Sequence, residues 1–316
     1  MKITKYLGLI GIILFFYIIS KIDLNQVITI VSSANLFFIS LSMIMLFFAI
    51  ILRSLRWKTI IKATGFNIPL KDCTLIWLKG YFLGGVTPGR VGDLFRAKFL
   101  TDKIGISLGK SVMTAVIDRI FDILVIFGLS VLGILMISQL FGIVVFSPHI
   151  AIILLVIFGF SLYILTNRKL TAKIFSPLIN LFVPTRFKEK MGINFGEFYS
   201  GLELLKERKQ HLFAAISVGV LSWLVVGVGG YLIALSLGLN ISYWYLLVSL
   251  AISSTVALLP ISISGLGTRE ATVILLFSII NIMPEEAVSF SLLILAWNLL
   301  PVLPGAILYV SKTKIK

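Results

Sequence analysis

Three short stretches put ionisable side chains inside otherwise apolar sequence. The first is Thr87-Pro88-Gly89-Arg90-Val91-Gly92-Asp93-Leu94-Phe95-Arg96, the second Leu259-Pro260-Ile261-Ser262-Ile263-Ser264-Gly265-Leu266-Gly267-Thr268-Arg269-Glu270, and the third Asp118-Arg119-Ile120-Phe121-Asp122. Proline removes a backbone donor and glycine frees the chain to turn. Pro88, Gly89 and Gly92, and again Pro260, Gly265 and Gly267, therefore predict two places where a hydrophobic helix stops and another restarts. A restarting helix offers free N–H groups and the positive end of its dipole, which suits an anion such as phosphate. Arg90, Arg96 and Arg269 add planar donor forks that match phosphate or carboxylate oxygens. Asp93 and Glu270 stand in first turns, where a carboxylate suits the dipole and can pair with those arginines. The chemistry expected is recognition of an anionic group, or else a set of ion pairs holding two hairpins together. In the third stretch Asp118 and Asp122 lie one helical turn apart, with Arg119 on a neighbouring position, so a local structural or coupling ion cluster is expected there.

The elements that must position these groups are membrane helices. Of the 316 residues 59% are hydrophobic, and the mean hydropathy is +1.08, more than a soluble surface can cover. The fold class expected is an all-α polytopic membrane protein. Runs at Leu7 to Ser20, Leu36 to Leu52, Ile120 to Phe146, Ile150 to Thr166, Leu212 to Leu237 and Leu292 to Val310 predict about six full spans of a hydrocarbon core about 30 Å thick. The first run ends in Tyr-Ile-Ile-Ser-Lys without an Ala-x-Ala-like cleavage site, so it is expected to be retained. The two broken segments predict helix-break-helix hairpins. With the first entering from the basic side and the second from the opposite side, they form the inverted re-entrant repeats common in transporters. Complete, tilted helices with breaks at the surface are the other arrangement that charge counting allows.

The chain carries 28 Lys plus Arg against 13 Asp plus Glu, for a formal charge of +15. Lys2 and Lys5, the Arg53 to Lys71 cations, Arg168 to Lys209, and Lys312 to Lys316 all fall on one side if the spans alternate. The positive-inside rule then places both termini in the cytoplasm and the protein in the cytoplasmic membrane. This placement accounts for the basic excess, and no nucleic-acid partner is expected. Arg53-Ser54-Leu55-Arg56-Trp57-Lys58 reads as an interfacial anchor, with cations at the negative end of a helix dipole. Cys73 is the lone cysteine, and His149 and His211 are far apart, so neither a metal site nor a cofactor is expected. The chain 1–316 reads as a single transmembrane domain. Its first half covers about 1–166 and its second about 211–316, and an amphipathic cytoplasmic connection at 167–210 joins them.

Taken in order, several motifs are similar to one family. They are Leu55-Arg56-Trp57, Pro88 through Arg96, Asp118-Arg119-x-x-Asp122, Leu259-Pro260 with Gly265-Leu266-Gly267-Thr268-Arg269-Glu270-Ala271, and Pro284-Glu285-Glu286-Ala287. This set resembles the flippase-like transmembrane region of lysylphosphatidylglycerol synthases, and the likeness covers nearly the whole chain. The resemblance implies translocation of a polar or anionic lipid across the bilayer, an aminoacylated phospholipid in some members and a polyprenyl-linked sugar in others. The lipid is then the principal partner, alongside a lipid-synthesising or glycosyltransferase protein. Aminoacyl transfer belongs to a separate soluble domain in the two-part synthases, so synthase activity is not expected here. Asp93 and Asp118 depart from the family pattern in standing where glutamate is usual, as does Ser264 where glycine is common and Trp297-Asn298 where an arginine is often found. A membrane glycosyltransferase, or its accessory, acting on polyprenyl-phosphate sugars is the alternative function. A transporter rather than an enzyme is favoured, because the presumed outer segments lack a positioned acid/base set.

Overall fold

The computed structural model describes residues 4–142, 185–258, 262 and 265–311, with scattered residues between 156 and 173. Helix α1 (Thr4–Ser20) is followed by α2 (Leu24–Ser32), α3 (Leu36–Ala63) and α4 (Leu70–Gly85). A 3₁₀ segment (Pro88–Phe95) runs directly into α5 (Arg96–Ile104), and α6 (Leu108–Phe141) follows. The second half holds α7 (Thr185–Glu207), α8 (Lys209–Ser236), α9 (Tyr243–Ala257), α10 (Thr268–Ser278), α11 (Pro284–Leu299) and α12 (Val302–Val310).

Helix ends follow local chemistry. Asp23 caps α2 by accepting from the backbone N–H groups of Asn25 and Gln26, and Asn35, Ser107 and Ser242 cap α3, α6 and α9 in the same way. These caps satisfy donors that a helix start leaves orphaned. Gly105 and Gly142 close α5 and α6 in the left-handed conformation.

Among the described residues four stretches are long and apolar enough to cross a membrane: α3, α6, α8 and the run from Pro284 to Val310. A fifth span arises if α1 and α2 count together, although they meet at 90°. The expected six full spans thus become four or five among the described residues. The Leu7 to Ser20 run is only the first arm of a bent pair. Helix α1, 17 residues from Thr4 to Ser20, rises about 25 Å, short of the hydrocarbon thickness. The chain then restarts at the Asp23 cap. The Ile150 to Thr166 run lies largely outside the described residues. Large apolar side chains such as Phe16, Phe47, Leu132, Leu135, Phe213 and Ile307 are exposed on the outer faces, as lipid-facing surface requires.

Among the described residues the most extensive helix–helix contact joins α3 to α8. Glycines on α8 bring helices close to its backbone: a side chain at Gly229 would meet Trp297, and one at Gly230 would meet Leu250. Small residues serve this purpose in bilayers, where packing rather than hydrophobicity drives helix association. The main core gathers Ile126, Ile137, Trp223, Ile233, Leu246, Phe277, Phe290 and Trp297. The described part of the 167–210 connection is largely helical. Tyr199, Leu202 and Leu205 of α7 pack on Ile60 of α3 and on Met113, Ile117 and Phe121 of α6, while Glu197 accepts from Ser107 Oγ at 2.9 Å.

Each broken segment is flanked by helices, the first by α4 and α5 and the second by α9 and α10, with residues 262 and 265–267 of the second break described. In the first, the 3₁₀ segment folds back against α4. Gly92 permits this because its Cα lies against the carbonyl of Leu83 with no room for a Cβ. In the second, Gly265 and Gly267 both hold φ +80°, and Gly267 sits against the backbone of Gly11. The first helix of the chain therefore supports the second break.

Candidate functional site

Four elements bring the charged residues together. Helix α3 carries Arg53 and Arg56, α6 carries Asp118, Arg119 and Asp122, the first break carries Arg90, Asp93 and Arg96, and α10 opens with Arg269 and Glu270. Arg56 Nε donates to Asp118 Oδ1 at 2.6 Å, and its Nη1 donates to Asp122 Oδ1 at 3.0 Å. Arg96 Nη2 donates to the other oxygen of Asp118 at 2.7 Å and to the carbonyl of Ala115 at 3.2 Å. The Arg96 guanidinium also lies over the Trp57 ring, 4.5 Å from its centroid, while Trp57 Nε1 donates to Thr114 Oγ1 at 3.2 Å. Arg119 pairs with Asp93 and stands 3.6 Å from Asp122 Oδ2. Trp223 Nε1 of α8 donates to Asp122 Oδ1 at 3.3 Å. Charges this deep persist only when paired and hydrogen-bonded. The network ties α3, α6, α8 and the first break into one frame.

A cavity of about 110 Å³ opens beside this frame, room for several waters. Arg53, Arg90, Arg119, Arg269 and Asp122 line one part of it; Ile126, Trp223, Val226, Leu250, Ile294 and Trp297 line the rest, with Ser253, Ser254 and Asn298 between. Arg90 reaches it from a backbone with φ +56°. Such a conformation is costly for a residue with a Cβ and clusters at functional sites. Its guanidinium lies 4.8 Å from the Tyr81 ring centroid and donates to the Tyr81 hydroxyl at 3.2 Å. That hydroxyl in turn donates to the Asn298 carbonyl at 3.0 Å, so the first break is linked to α11.

Arg90 and Arg269, one from each break, line the same cavity. Arg96 does not. It is buried behind the wall, because Asp118 and Trp57 offer it a paired and stacked site away from solvent. Asp93 and Glu270, the carboxylates expected to pair with these arginines, make further contacts. Asp93 faces Arg119 across the helix boundary. Glu270 accepts from the Gly267 N–H at 2.6 Å and from Ser291 Oγ at 3.1 Å, so it caps α10 and joins it to α11. The Asp118-Arg119-Asp122 cluster holds the local pair of Arg119 with Asp122 at 3.6 Å and extends beyond its own helix to Arg56, Arg96 and Asp93. Arg53 and Arg56, read from the sequence as an interfacial anchor, belong to the site. The signal for them was present: Arg53 and Arg56 are three residues apart, about the one-turn separation of Asp118 and Asp122, which are four apart on α6. Pro88, Gly89 and Gly92 lie in the 3₁₀ segment. Pro260 is outside the described residues.

Residues 6–305 match the family model described as the lysylphosphatidylglycerol synthase TM region. The chain belongs to that family. It is 29% identical to a UPF0104 membrane protein of Methanocaldococcus jannaschii, over 92% of this chain and 90% of that protein. It is 26% identical to a UPF0104 membrane protein of Pyrococcus horikoshii, over 98% of both. Within this lysylphosphatidylglycerol synthase TM region, both breaks, the α6 cluster and the cavity fall inside the matched span.

Proposed function

We propose that this protein is a lipid transporter rather than an enzyme, moving a polar lipid with an anionic headgroup across the cytoplasmic membrane. The observation that carries the reading is the cavity wall, where arginines from both helix breaks meet apolar side chains from α6, α8, α9 and α11. Guanidinium forks suit phosphate oxygens, and an apolar wall suits the first carbons of a lipid chain. The two breaks approach from opposite faces as inverted hairpins, and both termini are cytoplasmic. A lipid-synthesising or glycosyltransferase protein is the natural partner for such a transporter.

The test is a leaflet assay on purified protein in liposomes containing a fluorescent, chemically reducible anionic lipid. The intact protein should speed exchange between leaflets. Arg269→Glu should abolish this while folded protein still inserts, and Arg269→Lys should retain partial activity, because the charge remains and the planar fork is lost. Absence of exchange, together with a glycosylated product from nucleotide or lipid sugar donors, would overturn the transporter in favour of an enzyme.

A further inference from the structure

Charge at the cavity is unevenly distributed. Among the described residues four guanidiniums reach the wall, those of Arg53, Arg90, Arg119 and Arg269, against the single carboxylate of Asp122. That carboxylate is already committed: Oδ1 accepts from Arg56 and Trp223, and Oδ2 faces Arg119. Extending the ledger to groups bonded to the wall, or adjacent to it in sequence, adds Arg56, Arg96, Asp93, Asp118 and Glu270. Six arginines then face four carboxylates, an excess of two positive charges. Arg53 and Arg90 have no carboxylate within 4.0 Å among the described residues. Arg53 is held by the Trp223 ring, 6.0 Å from its centroid, and Arg90 by Tyr81. Aromatic faces orient a cation without neutralising it.

A cavity with two positive charges in excess beside an apolar wall is matched by a ligand bringing two negative charges on one compact group. A phosphate diester brings one, and an aminoacyl headgroup adds positive charge. A phosphate monoester brings about −1.5 to −2 near neutral pH and three acceptor oxygens. We infer that the lipid carried here is a phosphomonoester lipid, held by Arg53 and Arg90 with Arg119 and Arg269, and that cationic aminoacyl lipids are rejected. This rests on the transporter reading above and narrows its substrate class. The headgroup sets the selection; a diacylglycerol and a polyprenyl chain are equivalent at the apolar wall.

The experiment compares three fluorescent lipids in liposomes holding the full chain: phosphatidic acid as the monoester, phosphatidylglycerol as the diester and lysylphosphatidylglycerol as the cation. Phosphatidic acid should exchange about tenfold faster than phosphatidylglycerol, the order of one charge-assisted hydrogen bond, and the cationic lipid should be slowest. The advantage should shrink on acidification from about pH 8 to about pH 5, as the second ionisation near pH 6 is lost. Arg53→Gln, with insertion checked by size exclusion, should narrow the ratio between monoester and diester several-fold. Equal or faster movement of either competitor would overturn the inference and leave lipid transport standing. If no lipid moves, the transporter reading fails, and binding of phosphatidic acid over phosphatidylglycerol to the solubilised protein decides the headgroup question alone. Uptake of radiolabelled inorganic phosphate into the same vesicles would assign the site to free phosphate and overturn the lipid source.

Discussion

Asp118 serves two guanidiniums at once, and among the described residues these guanidiniums have no other carboxylate within 4.0 Å apart from Asp122 on Arg56. The Arg56 and Asp118 side chains retain only 3% and 2% of their surface. Neutralising Asp118 therefore leaves Arg96 buried with only the Ala115 carbonyl and the Trp57 face. Asp118→Asn should cost roughly 3–5 kcal/mol, the range for breaking a buried pair from one side, read as a drop in thermal unfolding temperature in detergent. Asp122→Asn should cost less, because its side chain borders the cavity, where water can reach. At this scale the sequence revealed the chemistry better than the pairings. Arg90 and Arg269 stood out because Pro and Gly break the helix beside them. Arg56 did not, since a cation in the last third of a basic helix is an ordinary interfacial anchor unless one knows which face α6 will cover.

The first break depends on backbone contact between two pieces of the same hairpin. With Gly92 against the Leu83 carbonyl, a methyl group has backbone to displace rather than a flexible side chain. Gly92→Ala should keep the protein folded, because the α3, α6 and α8 frame does not depend on it. It should nonetheless push the 3₁₀ segment off α4 and move Arg90. The expected result is leaflet exchange reduced at least about tenfold, a loss of the size that follows when a binding group is misplaced by about 1 Å, with unfolding temperature nearly unchanged. Helix breaks are legible in sequence because Pro and Gly act locally. The bend between α1 and α2 was not, because their 90° turn sits at the Asp23 cap and at the packing of Ile18 and Val27 on Val288, a partner more than two hundred positions away.

At the scale of the molecule, orientation follows from where the cations lie. The cations near the ends of α3 and α5 and near the starts of α6 and α8 cluster in the sequence segments that alternate to one side. Reporter fusions at Met1 and Lys316 should both report cytoplasm. An external C-terminus would place the two breaks on the same face and remove the inverted arrangement. The all-helical membrane class was legible from composition alone, since hydropathy acts residue by residue. The shared cavity rests on long-range packing between α3 and α8 that no local pattern encodes.

The pairing of Arg56 with Asp118 spans 62 positions, and that separation imposes an order on biogenesis. At about 5–20 residues per second of synthesis, α3 leaves the ribosome several seconds before its partner on α6 exists. Through that interval Arg53 and Arg56 must stay near the water boundary, their long stems reaching outward, while the apolar Leu36 to Leu52 run holds the helix in the bilayer. Docking of α6 then draws the guanidiniums inward. A chain with Asp118→Asn never completes that last movement in full, so its defect should surface first as rapid clearance of newly made protein in a pulse-chase, before any loss of activity per folded molecule.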